Sequence, residues 1–157
     1  MGDNEIINFE EVDDEVKKTI SKTRMFVVPD SWTRIGIGAF NNNTQLRKII
    51  IGESVKELGE NCFNTCSNLE EVILPEGLKK LPNSAFYACR ALRVINVPKS
   101  VEIIENQAFD GCKNLNSIVL PDGLKNINMF AFCDTGLRHI DLPNSLTHLG
   151  ECAFQIA

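Results

Sequence analysis

Cysteine and histidine are the residue types in this sequence best suited to metal binding or nucleophilic chemistry. The chain has six cysteines and two histidines. Cys66, Cys89 and Cys112 recur at intervals of 23 residues, so they occupy one offset of a repeat and point the same way. Such a column favours free, buried thiols over disulfides. Cys62 and Cys66 have no second Cys/His pair at finger spacing, so we predict no metal site and no cofactor.

A second group of residues loosely resembles the machinery of a hydrolase. His139 and Asp141 alternate along one segment, and Ser117 precedes them by about one repeat, as a nucleophile, base and acid would require. The sequence contains neither a glycine-rich phosphate loop nor a G-x-S-x-G turn. Polar residues at the variable positions of a repeat are ordinary surface residues. We therefore predict no catalytic residue and a protein that is not an enzyme.

Composition excludes some classes of partner. The net charge is -5, which argues against nucleic acid, since nucleic-acid binding favours a basic face. No apolar run approaches the roughly 18 residues that a membrane-spanning helix needs, so we predict no membrane insertion. The first residues are acidic and lack the apolar core of a secretory signal. By itself the sequence indicates a cytoplasmic protein.

The elements that position these residues come from a repeat of 23 residues. Each unit opens with the pattern L-x-x-I-x-L-P, in which alternation predicts a short strand that proline ends. Two further apolar residues and a phenylalanine follow in each unit. One unit cannot bury these side chains alone, whereas stacked units bury them against each other, so the repeat predicts a solenoid. The six predicted units are 23–45, 46–68, 69–91, 92–114, 115–136 and 137–157.

Residues 1–22 lie outside the repeat and carry the pattern of an amphipathic helix. Apolar residues recur there at three- and four-residue steps, and Asn8 with Glu11 is typical of a capping box. We predict that this helix caps the open edge of the first unit. The residues of its apolar face are Phe9, Val12, Val16 and Ile20.

The units resemble the BspA-like class of leucine-rich repeat. In unit 92–114, for example, the sequence LRVINVP is followed by IIENQAFDGC, which matches the class pattern L-x-x-I-x-L-P and I-G-x-x-A-F-x-x-C except for Val97 in place of the second leucine and Glu105 in place of the glycine. The resemblance extends over residues 23–157. It implies an α/β repeat solenoid: a right-handed superhelix with short parallel strands on a concave face and turns or short helical segments on the other face. It also implies adhesion or protein binding at a cell surface or after secretion.

The outward residues of the predicted strands are candidates for binding a protein partner. An apolar stripe borders a column of arginines, an arrangement that suits a protein interface. The predicted concave-face residues are Val27, Lys48, Ile50, Glu71, Ile73, Arg93, Val94, Asn96, Val119, His139 and Asp141.

A structural role is the alternative to partner binding. The sequence has no recognisable cap after the last unit, and exposed strand edges favour association. In this alternative the C-terminal repeat forms a homodimer, and the ends of the solenoid carry the function. The identity of a partner and the compartment stay open at this stage.

Overall fold

The computed structural model describes residues 6–7 and 12–156 of the chain. The elements in these ranges are one helix and eleven short strands. The helix α1 spans Asp14–Thr23. The strands are β1 Ile6–Ile7, β2 Met25–Val27, β3 Arg34–Ile35, β4 Lys48–Ile50, β5 Glu57–Leu58, β6 Glu71–Ile73, β7 Lys80–Leu81, β8 Val94–Ile95, β9 Ile103–Ile104, β10 Asn126–Ile127 and β11 His148–Leu149.

Each repeat unit forms one coil of the solenoid, and the coils are numbered in chain order. The first strand of each of the first four coils joins a parallel sheet, called here the front sheet. Its order is β2-β4-β6-β8, with Phe26, Ile49, Val72 and Ile95 aligned from strand to strand. These aligned residues are buried, while the residues on either side of them face outward. The alternation follows from the period of two in a strand. The predicted stack of parallel coils is therefore confirmed.

A second set of strands lies on another side of the coils. It forms two parallel sheets, β1-β3-β5 and β7-β9-β10-β11, where the sequence predicts turns or helical segments. The α/β description consequently overstates the helix content, since α1 is the single helix among the described residues.

Left-handed residues explain why the remaining side of each coil is a turn and not a helix. Asn61 and Thr65 have φ of 58° and 59°, and the same two offsets are left-handed in the third coil at Ser84 and Ala88. Two such residues four apart interrupt the right-handed backbone that a helix requires. The turn that carries each phenylalanine therefore stays short.

The front sheet is shorter than predicted. The segments 115–120 and 137–142 open the fifth and sixth units, yet neither is a strand. The regular ladder changes at Asn96, whose side-chain Oδ1 accepts from the Leu74 N–H at 2.8 Å and whose Nδ2 donates to the Leu74 O at 2.9 Å. One coil earlier, the Ile51 N–H donates to the backbone O of Ile73 at 2.9 Å. The Asn96 amide thus replaces its own carbonyl as a partner of Leu74, and β8 ends at Ile95.

The helix α1 begins later than its sequence pattern indicates. Asp13 is the N-cap, and its Oδ1 accepts from the Val16 N–H at 3.0 Å. Val12 and Ile20 are buried in the common core, and together with Phe40 they line a shallow depression at the first coil. This packing agrees with a cap on the first coil. The predicted capping-box residues Asn8 and Glu11, like Phe9, lie outside the described residues, and the division of the chain at residue 22 stays a prediction.

The core is a column of stacked phenylalanines. Successive rings lie 5.1 to 5.5 Å apart between centroids and are nearly parallel. The buried thiol of Cys89 lies beside this column and donates to the Phe63 O at 3.1 Å. Each coil thereby buries the apolar surface of the neighbouring coil. The stacked residues are Phe40, Phe63, Phe86, Phe109, Phe132 and Phe154.

Candidate interaction surface

The outward side chains of the front sheet form an apolar row. Val27, Ile50 and Ile73 are register neighbours in β2, β4 and β6. Val27 is 55% exposed and Ile73 is 37% exposed, and Ile50 is half-buried between them. Val94, 45% exposed, continues the apolar surface on β8. The sheet holds these side chains at fixed spacing, because each strand is hydrogen-bonded to the next.

Charged pairs border this apolar row. Lys48 Nζ lies 3.1 Å from Glu71 Oε2, and the two residues are register partners in β4 and β6. Arg93 lies 3.6 Å from Glu70 in the neighbouring coil, and its side chain is 61% exposed. Such exposed pairs contribute at most about 1 kcal/mol to stability, so their main effect is on the charge that a partner meets.

The predicted site residues fall into three groups. Val27, Lys48, Ile50, Glu71, Ile73 and Val94 lie together on the front sheet, with Arg93 at its edge. Asn96 follows β8, and its amide is engaged with Leu74. The remaining residues lie in the fifth and sixth coils, outside the front sheet; they are Val119, His139 and Asp141.

Ser117, His139 and Asp141 do not form a catalytic site. His139 Nε2 lies 3.1 Å from Asp141 Oδ1, and the two side chains are 82% and 96% exposed. Among the described residues no hydrogen bond joins Ser117 to either of them. A catalytic base needs to be within hydrogen-bond reach of its nucleophile and shielded from bulk water. The pair is better described as two solvated surface side chains.

A cleft opens between the fourth and fifth coils, and sequence reasoning missed it. It has a volume of about 770 Å³ and is lined by residues 93–97, Lys99 and 117–123. Val94 and Val119 lie on its two sides, and Val119 is 84% exposed. The available signal was Asn96, the one polar residue in a column that otherwise holds Val27, Ile50, Ile73 and Val119 before the sixth unit.

The thiols of the core have little reactive character. Burial raises the pKa of the Cys66 thiol to about 12, and it also raises the pKa of Cys62, Cys89 and Cys112. Burial, and after it the nearby Asp110 carboxylate, raises the pKa of Cys133. All six cysteines are free, and the predicted buried column of Cys66, Cys89 and Cys112 is confirmed.

Alkylation should separate the cysteines by burial. At pH 8, iodoacetamide should modify Cys152 first and Cys133 more slowly in the native protein, because only these two are partly accessible. Raising the pH should accelerate Cys133, since the reactive species is the thiolate and its pKa is raised. Peptide mass spectrometry before and after denaturation measures both effects. Native alkylation of Cys89 as fast as that of Cys152 would contradict the packing.

Residues 12–156 contain no group of three or more His, Cys, Asp or Glu side chains arranged to hold a metal ion. The same residues include no helix with the length and apolar character needed to span a membrane.

Comparison with known proteins agrees with the repeat geometry. A family model described as the BspA type leucine-rich repeat region matches residues 11–100 and 79–157, in six copies. A search of curated proteins found no match.

Several solved structures are similar. A leucine-rich repeat protein from Bacteroides ovatus is 34% identical with a TM-score of 0.75, and the match covers 83% of this chain and 34% of that one. The T. pallidum leucine-rich repeat protein is 27% identical with a TM-score of 0.73, covering 80% of this chain and 68% of that one. A leucine-rich cell surface protein from Faecalibacterium prausnitzii is 25% identical with a TM-score of 0.61, covering 83% and 44%.

This chain thus spans only about a third of the length of the Bacteroides ovatus protein. Coils of this kind generally serve as interaction scaffolds, because stacking makes extended surfaces and not enclosed clefts. The matching repeats, the parallel front sheet and the phenylalanine column lead to one conclusion: the chain belongs to the BspA-type leucine-rich repeat family.

Proposed function

We propose that the chain is a non-enzymatic module that binds a protein partner on the outward face of the front sheet. The observation that carries the proposal is the apolar row of Val27, Ile50 and Ile73 on a hydrogen-bonded sheet, with the exposed Val94 beside it in the register position of Glu71. An apolar centre with a charged rim is the usual composition of a protein interface. The rim here is supplied by the pairs Lys48–Glu71 and Glu70–Arg93.

The proposed setting is the outside of a bacterial cell. The Faecalibacterium prausnitzii relative is described as a cell surface protein, and an adhesin-like role would place partner binding there. Homodimer formation through the C-terminal repeat stays a prediction from the sequence, and the position of Arg93, Asn96, Val119, His139 and Asp141 within an interface also stays a prediction.

Site-specific crosslinking tests which surface the partner contacts. A photoreactive benzoylphenylalanine replaces Ile73 on the front sheet, or Tyr87 as a control in a turn outside that sheet. Both side chains are similarly exposed, at 37% and 36%. Each variant of the chain is irradiated with protein extracts of the source organism and of cells that it contacts.

The proposal predicts a specific adduct from position 73 that is absent from position 87. Mass spectrometry of the adduct identifies the partner for later binding measurements. Adducts of equal yield from both positions, or an adduct from position 87 alone, would contradict partner binding by the front sheet.

A further inference from the structure

The cleft between the fourth and fifth coils exposes an unpaired edge of β8. In the preceding coils, the Glu70 N–H donates to the Arg47 O at 2.7 Å and the Arg93 N–H donates to the Glu70 O at 3.0 Å. Within residues 12–156, no hydrogen bond joins the segment 93–97 to the segment 115–120. The parallel ladder therefore stops at β8 in the middle of the solenoid and not at an end.

The repeat identifies the backbone groups that this break leaves open. Residues 93, 95 and 97 are equivalent to residues 70, 72 and 74. The latter have backbone groups that point toward the following coil. By that equivalence, the carbonyls of Arg93 and Ile95 and the N–H groups of Ile95 and Val97 point into the cleft. An open strand edge of this kind is a template for another strand.

The side chains of the cleft suit an extended peptide. Ile95 is 9% exposed, whereas its equivalents Ile49 and Val72 are 0% and 1% exposed. Val97 and Ile118 are also partly exposed, so the cleft extends inward to the apolar core. A small apolar ligand would cover these side chains but would leave the backbone groups unpaired. A strand satisfies both needs, because its N–H and C=O groups pair with the edge and alternate side chains enter the cleft.

From these observations we propose that β8 binds an extended segment of a protein partner as an added parallel strand. The inference rests on the proposed protein-binding function and names the part of the partner that is recognised. Insertion at this edge would connect the fourth coil to the bound segment by main-chain hydrogen bonds, while side chains determine which segments fit.

The closed side of β8, which is the edge that pairs with β6, indicates the chemistry of that segment. There, the carboxylate of Glu70 lies 3.6 Å from Arg93, and Val72 is aligned with Ile95. At the other end, Glu76 Oε2 accepts from the Lys99 N–H at 3.2 Å. Arg93, Lys99 and Asp122 also line the cleft. We therefore expect a segment with an acidic residue near Arg93, followed by alternating β-branched residues.

A synthetic peptide with the sequence of residues 69–76, LEEVILPE, is the probe. It carries the side chains that already pair with the closed side of β8. Binding of the labelled, end-blocked peptide to the full chain is measured by fluorescence anisotropy. Amide hydrogen exchange of the protein locates the site, and the proposal predicts slower exchange at Ile95 and Val97 when the peptide is bound.

Matched controls separate strand addition from nonspecific attraction. Methylation of the peptide nitrogens that face β8 removes their N–H donors, and we expect a loss of at least about tenfold in affinity. A peptide with lysine in place of each glutamate should bind at least about tenfold more weakly. In the protein, Arg93→Ala should weaken binding about fivefold. Arg47→Ala, at the same offset in a coil whose strand is paired on both sides, should leave binding unchanged.

Several results would overturn this inference. Equal binding by the methylated peptide, or slower exchange elsewhere in place of Ile95 and Val97, excludes strand addition at β8. Dimers of the chain that the peptide dissociates in light scattering would make a second copy the occupant. These failures are distinct from failure of the front-sheet proposal, because that proposal is tested by the crosslink at position 73.

Discussion

The substitution Phe86→Ala should lower the free energy of unfolding by about 3–5 kcal/mol. Phe86 is fully buried in the middle of the phenylalanine column, with ring centroids of Phe63 and Phe109 at 5.5 and 5.4 Å. Removing its ring creates a cavity that faces two coils at once. In a linear stack each coil is stabilised by its two neighbours, so a central defect weakens both contacts. Denaturant titration followed by circular dichroism measures the change.

Phe154→Ala is the matched control within the same column. Phe154 is half-buried and contacts one ring neighbour, Phe132, at 5.4 Å. Its loss should therefore cost about 1–2 kcal/mol, in proportion to the smaller buried area. Equal losses from Phe86→Ala and Phe154→Ala would mean that stacking between coils is not the dominant stabilising interaction.

The phenylalanine column and the front sheet could be predicted because both depend on spacing. Phe63, Phe86 and Phe109 recur every 23 residues, and any stack of equal coils superimposes equal offsets. Likewise, the alternation around Ile49 and Val72 is long enough to indicate strands with one buried face. These features need no knowledge of the contacts between particular atoms.

The second set of strands could not be predicted in the same way. β5 and β7 are two residues long, and two residues cannot display a period. The left-handed turn residues gave no signal either, since Ser84 and Gln107 have φ of 53° and 58° although neither is glycine. Tertiary contacts between coils impose those conformations, and residue type alone does not reveal them.

The break in the front sheet depends on one side chain. The sequence predicts that Asn96 faces a partner, and in the structure its side-chain amide pairs with the backbone of Leu74. A polar residue in an apolar column indicates a local departure from the repeat without specifying its geometry. Only the structure reveals that the open edge of β8 and the cleft beside Val119 accompany it.

The second large effect concerns binding. The combined change Ile50→Lys with Ile73→Glu should lower affinity for the partner at least about 100-fold. It places two charges in the centre of the apolar row, where each must be desolvated on binding. Because Ile50 and Ile73 are register partners, the new side chains can pair as Lys48 and Glu71 do at 3.1 Å.

The fold should tolerate this pair of substitutions. Ile73 is 37% exposed and Ile50 is half-buried, so neither is a central member of the core. Long charged side chains can lay their aliphatic stems along the sheet and keep their charges in water. We expect the free energy of unfolding to change by no more than about 1 kcal/mol.

We propose that stability resides in the buried phenylalanine column and recognition on the front sheet. The affinity of the crosslink-identified partner for the chain, measured by titration calorimetry, tests this division. Ile50→Lys with Ile73→Glu is compared with the parent protein and with Tyr87→Glu, a control outside the sheet. We expect the paired variant to lose binding and stay folded, while Tyr87→Glu binds normally. Unchanged affinity in the folded paired variant would contradict recognition by the front sheet.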